Sequence, residues 1–114
     1  MQYYGGYPVT LDASVDTTNP TTTTILADTG ALPGGVYEAR FVFGASAAAI
    51  FAIQRRNAAN DANVGDAVNV YCPANDSKHL ALRWELEVNE RLRVTMQTNL
   101  TGDASAAVSA QRCG

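Results

Sequence analysis

The sequence predicts an all-β protein, an antiparallel β-sandwich or jelly roll with an extended N-terminal arm. Apolar and polar side chains alternate with a period of two along several segments, which is typical of half-buried antiparallel strands. Turn-forming residues separate these segments at short intervals, as in sandwiches and jelly rolls. No segment shows the period of an amphipathic helix. At 114 residues, the chain has room for one domain.

Three segments, residues 36–43, 78–88 and 91–98, show the alternation most clearly. Charged and polar side chains occupy every second position, and the others are expected to face the core. These inward side chains are Tyr37, Ala39, Phe41 and Phe43 in the first segment, Leu80, Leu82, Trp84, Leu86 and Val88 in the second, and Leu92, Val94 and Met96 in the third. The short turn at residues 88–91 predicts a tight hairpin between the second and third segments.

The remaining strands are predicted to be shorter, and one long loop separates two of them. The cysteines, Cys72 and Cys113, have neither the spacing of metal ligands nor that of a redox pair. Cys72 falls on the inward side of its strand, whereas Cys113 follows the last strand. We therefore expect one buried and one exposed free thiol rather than a disulfide. The shorter strands are predicted at residues 23–27, 50–55, 67–72 and 105–111, and the loop at residues 57–66.

Residues 1–21 differ in composition from the rest of the chain. They hold three of the five tyrosines, Tyr3, Tyr4 and Tyr7, on a backbone broken by glycine and proline. The segment has no helical period and too few aliphatic side chains to form a core. It predicts an extended arm that lies on its own domain or on a neighbour, with a β-sandwich domain over residues 22–114. Tyrosine suits such an arm because its ring is apolar and its hydroxyl is polar; a frayed terminus is the alternative.

The charge balance argues against several classes of partner. Eight Lys and Arg residues stand against eleven Asp and Glu residues, and Lys78 is the only lysine. A net charge of −3 without a clustered basic stretch does not suit nucleic-acid binding. No apolar run approaches the ~20 residues of a membrane span, and the N-terminus lacks the features of a signal peptide. We therefore expect a soluble protein made in the cytosol, with no nucleic-acid or membrane partner.

No sequence motif predicts an enzyme, a metal site or a cofactor. The only histidine, His79, falls on the polar face of a predicted strand with no orienting group fixed beside it. Phosphate-binding glycine loops and the HExxH and GxSxG motifs are absent. The loop at residues 61–66 begins like a calcium-binding EF-hand loop, but its glycine comes one place early. Its twelfth position is Cys72, where a glutamate is required.

Small residues and outward-facing apolar residues predict self-association. Alanine is frequent at residues 45–49 and 104–110, although it is a poor strand former unless both faces are closely packed. The alternation places Val42, Ile50, Ala52 and Ala81 on outer faces. Apolar residues on an outer face suit contact with a second copy of the chain. We therefore expect a homo-oligomer.

Five stretches share a pattern with a known group of proteins. They are ILADTG at residues 25–30, LPGGVY at 32–37, QRRNAAN at 54–60, LEVNERLRV at 86–94, and TGD at 101–103 with the alanine-rich strand after it. Over residues 22–112 the chain resembles small structural proteins of tailed bacteriophages. The resemblance implies a compact jelly-roll domain that acts as a capsid cement or decoration protein, often as a dimer or trimer that bridges capsomers. It supplies no residue-level binding motif.

The favoured function is that of a virion structural protein. Such a protein is synthesised in the host cytoplasm, binds the outer capsid surface and stabilises contacts between subunits of the major capsid protein. Tyr3, Tyr4 and Tyr7 are the expected anchors on the capsid. Arg55 and Arg56 are the expected ion-pair partners, since arginine is enriched in protein interfaces.

The alternative is a small lectin-like module on a phage tail or capsid exterior that recognises host glycan. Such a site needs an exposed aromatic side chain flanked by polar groups that orient the ligand. Trp84 is the only tryptophan, and the alternation places it in the core. Tyr71, which faces outward, and Asn69, near the loop at residues 57–66, are the remaining candidates for glycan binding.

Overall fold

The computed structural model describes the backbone of residues 10–13 and the whole of residues 17–113. Within these residues the chain forms nine strands and no helix: β1 (Thr10–Ala13), β2 (Thr17–Thr18), β3 (Ala27–Asp28), β4 (Gly35–Ala45), β5 (Ala49–Arg56), β6 (Val68–Cys72), β7 (Asp76–Leu86), β8 (Arg91–Met96) and β9 (Asp103–Arg112). They build two antiparallel sheets. Sheet A has the strand order β1-β9-β4-β7, with β2 also paired to β9, and sheet B has the order β3-β8-β5-β6. The predicted antiparallel β-sandwich is confirmed.

The described residues include no helix long and apolar enough to span a membrane.

The hydrophobic core lies between the inner faces of the two sheets. Phe43 of β4 and Phe51 of β5 meet there with their ring centroids 4.8 Å apart. Burying an aromatic side chain of this size contributes about 1.5–3 kcal/mol. The inward side chains predicted for two central strands are all buried: Tyr37, Ala39, Phe41 and Phe43 on β4, and Leu92, Val94 and Met96 on β8.

The side chains predicted to face inward from β7 are less buried than expected. Leu86 is buried, Leu80, Leu82 and Trp84 are half-buried, and Val88 lies 62% exposed beyond the end of the strand. The reason is that β7 pairs with β4 alone and forms an edge of sheet A. Trp84 therefore packs against the rim of the core rather than inside it, which corrects the prediction of a core tryptophan.

Residues 88–91 form a turn, but the predicted hairpin is wrong. The backbone N–H of Glu90 donates to the Glu87 carbonyl at 3.2 Å, and Asn89 has a φ of 66°, which asparagine tolerates. β7 pairs with β4 in sheet A, whereas β8 pairs with β3 and β5 in sheet B. The turn therefore carries the chain from one sheet to the other. Alternation locates a strand and its two faces, but it does not identify the strand's partner.

The strand predicted at residues 23–27 is also wrong, because β3 covers only Ala27–Asp28. The backbone N–H groups of Leu26 and Thr29, on either side of it, donate to carbonyls of β8. Residues 21–24 form a turn instead. The backbone N–H of Thr21 donates to the Thr24 hydroxyl at 3.0 Å, and that of Thr24 donates to the Thr21 carbonyl at 3.1 Å. Threonine hydroxyls offer the backbone such local partners, which here replace strand pairing.

Parts of the predicted arm run along sheet A. β1 and β2 both pair with β9 in the antiparallel direction. Asn19 then exchanges two hydrogen bonds with Gly102: the Asn19 N–H donates to the Gly102 carbonyl at 2.7 Å, and the Gly102 N–H donates to Asn19 Oδ1 at 2.9 Å. The described parts of this segment are thus extended and lie on their own domain. Tyr3, Tyr4 and Tyr7 lie outside the described residues.

Both cysteines are free, and their surroundings differ. Cys72 is fully buried, with its Sγ 3.6 Å from the carbonyl oxygens of Pro73 and Asp76. Burial, and to a smaller extent the Asp76 carboxylate, raises the pKa of the Cys72 thiol. Cys113 follows β9 and is half-exposed.

We predict that a thiol reagent at neutral pH will modify Cys113 and spare Cys72 until the protein unfolds. The raised pKa keeps Cys72 in its unreactive protonated form at neutral pH, and burial blocks the reagent. Absorbance of the thiolate released from Ellman's reagent measures this, under native and denaturing conditions. A Cys113→Ser variant isolates Cys72, and rapid labelling of that folded variant would contradict the prediction.

Candidate binding surfaces on the two sheets

The outer face of sheet A carries a shallow groove of about 470 Å³ along β4. Val42 lies in its centre, opposite Ala107 of β9 on one side and His79 of β7 on the other. Ala81, two residues after His79 on β7, also lines the groove. The groove exists because the alanine side chains are shorter than their neighbours. Val42 is 42% exposed and Ala81 is exposed as well, so their predicted outward positions are confirmed.

Charged side chains of both signs border this groove. Arg40 donates from Nε and Nη2 to Glu38 Oε1 at 3.0 and 2.8 Å, and Arg83 lies opposite Glu38 in the strand register. Because Arg40 and Glu38 are both largely exposed, their ion pair adds little to stability. The face therefore combines a small apolar centre with a rim of mixed charge, which suits contact with another protein.

The other two apolar residues predicted to face outward lie on sheet B. Ile50 is half-buried, whereas Ala52 is only 3% exposed. Ala52 lies in the middle of the sheet, between Asn69 of β6 and Thr95 of β8. An alanine flanked on both sides by longer side chains has little surface left, so the expectation of an open apolar surface at Ala52 is wrong.

Tyr71 projects from the outer face of sheet B, as predicted, and Asn69, the other glycan-site candidate, projects from the same face. Tyr71 is 58% exposed and is the one exposed aromatic side chain among the described residues. It lies opposite Ile50 in the strand register, and the exposed Asn69 lies opposite Ala52 one row further along. An aromatic ring next to an amide offers both stacking and hydrogen bonding to a ligand.

The guanidinium of Arg55 is held in an ion pair with the buried carboxylate of Glu90. Its Nε and Nη2 lie 2.8 and 2.6 Å from Glu90 Oε1, and the same oxygen accepts the Glu87 backbone N–H at 2.7 Å. The Glu90 side chain is 7% exposed and that of Arg55 26%. A role of Arg55 in partner binding stays a prediction, but this ion pair occupies the group that the role would need.

Arg56 faces the outer side of sheet B and holds the loop at residues 57–66. Its Nε and Nη2 donate to the side-chain and backbone oxygens of Asn60 at 3.1 and 2.9 Å, and its Nη1 donates to Asn63 Oδ1 at 2.9 Å. Asn60 has a φ of 57°, a left-handed conformation that asparagine tolerates. One side chain thus fixes the loop against the end of β5.

Two further arginines, which the sequence analysis did not assign to a site, lie beside Arg56. Arg91 and Arg93 of β8 face the same outer side. Arg93 Nη2 donates to Asn60 Oδ1 at 2.9 Å, the oxygen that also accepts from Arg56. Arg93 Nε lies 3.4 Å from Asp28 Oδ2, and Arg91 Nη1 lies 3.5 Å from Asp28 Oδ1. Alternation puts Arg91 and Arg93 on one face, but their approach to Arg56 depends on strand pairing, which the sequence does not reveal.

No group of histidine, cysteine, aspartate or glutamate side chains in residues 17–113 is arranged to hold a metal ion. His79 is exposed on sheet A, beside Val42 in the register. Each sheet presents one candidate binding surface on its outer face.

Several solved structures are similar to this chain at low sequence identity. The globular domain of zebrafish complement 1qA protein has a TM-score of 0.72 at 8% identity, covering 95% of this chain and 98% of that chain. The C-terminal family 22 carbohydrate binding module of Clostridium thermocellum Xyn10B has a TM-score of 0.59 at 14% identity, covering 96% and 84%. The enzymatically active domain of tailspike protein 4 of bacteriophage CBA120 has a TM-score of 0.52 at 14% identity, covering 90% of this chain and 17% of that chain.

At these identities the likeness concerns the fold alone, and it confirms the jelly-roll form of the sandwich. No protein-family model matches the chain, and no curated protein matches it either.

We predict that Arg55→Ala lowers the free energy of unfolding by about 3 kcal/mol, because it leaves the buried Glu90 carboxylate without its cation. Urea denaturation of the variant measures the loss. The control is Arg83→Ala, which removes an exposed arginine from β7 and should cost less than about 0.5 kcal/mol. Equal losses in the two variants would show that the ion pair contributes no more than a surface arginine.

Proposed function

We propose that the chain is a virion structural protein of a tailed bacteriophage, a capsid decoration or cement protein that binds the major capsid protein on the outer capsid surface. One observation carries the proposal. The outer face of sheet A presents a solvent-open apolar groove of about 470 Å³. An exposed apolar centre inside a charged rim is typical of surfaces that contact other proteins. The resemblance to small phage structural proteins suggests the class of partner.

The same face suits self-association into a dimer or trimer. The short side chains of Ala81 and Ala107 allow another surface to approach closely, and contact there would remove Val42 from water. Glu38 and Arg40 give the rim both signs of charge. A rim with both signs of charge favours the register of association that brings opposite charges of two copies together.

The segment that carries the proposed capsid anchors leads, in the sequence, into a strand of this same sheet. β1, which begins at Thr10, is an edge strand of sheet A and pairs with β9. The segment that carries Tyr3, Tyr4 and Tyr7 precedes this edge strand in the sequence. Its tyrosines combine apolar area with a polar hydroxyl and few torsions, which suits an anchor on a protein surface.

A chain that lacks residues 1–9 is predicted to lose capsid binding and keep its fold. The deletion must end there because residues 10–13 and 17–18 pair with β9, which a longer deletion would uncover. Co-sedimentation with capsids free of this protein measures binding, and thermal unfolding reports the fold. Replacing Tyr3, Tyr4 and Tyr7 with serine should have the same effect, whereas Tyr71→Ser on sheet B is the control. Undiminished binding by the shortened chain would exclude the arm as an anchor.

Val42→Glu is predicted to convert the homo-oligomer to a monomer, because it places charge in the centre of the apolar groove. Light scattering coupled to gel filtration measures the mass of the assembly. Val88→Glu is a matched control, since Val88 is also exposed but lies in the turn after β7, away from the groove. An unchanged mass for Val42→Glu, or the same loss for both variants, would argue against association through sheet A.

A second candidate function is glycan recognition by sheet B. It is favoured by the exposed Tyr71, whose ring stands one row from the amide of Asn69. One of the similar solved structures is a carbohydrate binding module, which supports the suitability of the fold for this task. The ligand that this face would take depends on the arginines beside it.

A further inference from the structure

We propose that Arg56, Arg91 and Arg93, on the outer face of sheet B, bind the carboxylate of an acidic saccharide whose sugar rings extend toward Asn69 and Tyr71. The proposal rests on the second candidate function, glycan recognition, and names the class of glycan. Its basis is that these three arginines lie together while a single carboxylate, that of Asp28, pairs with them.

The strand register brings like charges together. Arg56 of β5 lies directly opposite Arg91 of β8, and Arg93 is its diagonal neighbour on the same face. Directly opposed side chains have Cβ atoms about 4.5–5.5 Å apart, and like charges at this distance are destabilising. A bound anion would remove the repulsion.

The charges within the cluster do not balance. Asp28 is the one carboxylate among the described residues that pairs with these arginines, and it is shared between Arg91 at 3.5 Å and Arg93 at 3.4 Å. Its Oδ1 also accepts the Gly30 backbone N–H at 2.7 Å. Arg56 donates only to the neutral oxygens of Asn60 and Asn63. Three positive charges therefore face one negative charge.

Burial makes this imbalance costly. The side chains of Arg91 and Arg93 are 23% and 14% exposed, and Arg91 Nε is buried without a hydrogen-bond partner. The Thr95 hydroxyl, on the same face one row beyond Arg93, is also buried without a partner. Buried polar groups are seldom left unpaired. A carboxylate accepting from the accessible edge of the Arg91 guanidinium would supply the missing negative charge in the bidentate geometry that arginine favours.

The polar groups beyond the arginines indicate a sugar acid rather than a simple anion. Strand spacing and rise place the Cα atoms of Arg93 and Asn69 about 12 Å apart, with the small Ala52 between them. This span exceeds the length of one sugar ring and suits a disaccharide. Its carboxylate would lie on the arginines and its hydroxyls near the Asn69 amide, while Tyr71 offers an apolar ring at the far end.

Titration of the full chain with a glucuronate-containing disaccharide (hereafter glucuronate) tests the proposal, with the matching neutral disaccharide of glucose (hereafter glucose) and inorganic phosphate as the simple anion. Chemical shifts of the arginine Nε–H groups and of the Asn69 and Tyr71 amides report binding at constant ionic strength. We expect glucuronate to bind and glucose to bind at least about tenfold more weakly, since hydrogen bonds to a charged group are the stronger ones.

Three variants locate the site, and a fourth is the control. Arg91→Gln should weaken glucuronate binding about tenfold, and Arg91→Lys, which keeps the charge but not the bidentate geometry, should fall between it and the unchanged chain. Arg83→Gln, the same charge change on the outer face of sheet A, should have no effect. Tyr71→Ala should weaken glucuronate binding and leave phosphate binding unchanged.

Each contrary result overturns a defined part of the proposal. Absence of glucuronate binding, or equal affinity in Arg91→Gln, would overturn the arginine site. Equal affinities for phosphate and glucuronate, without an effect of Tyr71→Ala, would overturn the assignment to saccharides. Equal binding of glucose and glucuronate, lost in Tyr71→Ala alone, would overturn the acidic ligand while leaving glycan recognition in place.

Discussion

The buried carboxylate of Glu90 fixes the turn at which the chain passes from sheet A to sheet B. The facing of the side chains on β8, and with it the outer surface of sheet B, depends on that turn. The carboxylate accepts hydrogen bonds from Arg55 at the end of β5 and from the Glu87 backbone just after β7. The Glu90 carbonyl accepts the Leu32 backbone N–H as well, which ties in the loop before β4. Because β8 begins at the next residue, these contacts fix where its alternation starts. A slip of one residue would exchange the two faces of the strand.

The outer face of sheet B follows from that starting point. With β8 in its observed register, Leu92 points into the core and Arg91 and Arg93 point outward. The alternation of side chains along a strand also separates two arginines that are adjacent in the sequence, Arg55 and Arg56. Arg55 faces inward and neutralises Glu90, whereas Arg56 faces outward and meets a second and third arginine. Identical side chains thus stabilise the fold at one position and create excess charge at the next.

The faces of the strands could be predicted from the sequence, but the pairing between them could not. Alternation correctly placed the β4 side chains and Cys72 in the core, because facing depends only on position within a strand. It misjudged Trp84, because burial there depends on β7 being an edge strand. It also missed the arginine cluster, which joins Arg93 to Asp28 across 65 positions of sequence. Long-range pairing is set by the competition among all strands, and no local pattern records it.

The two candidate surfaces lie on opposite sides of the sandwich, and this arrangement bears on how the proposed functions relate. The groove at Val42 is on the outer face of sheet A, whereas Tyr71 and the arginines are on the outer face of sheet B. A contact that covers one outer face leaves the other open, since the core separates them. Attachment or self-association through sheet A is therefore compatible with ligand binding on sheet B. In an assembly held together by sheet A, every copy would still present its own arginine cluster, and several weak sites on one particle would together bind a glycan-coated surface far more tightly than one site alone.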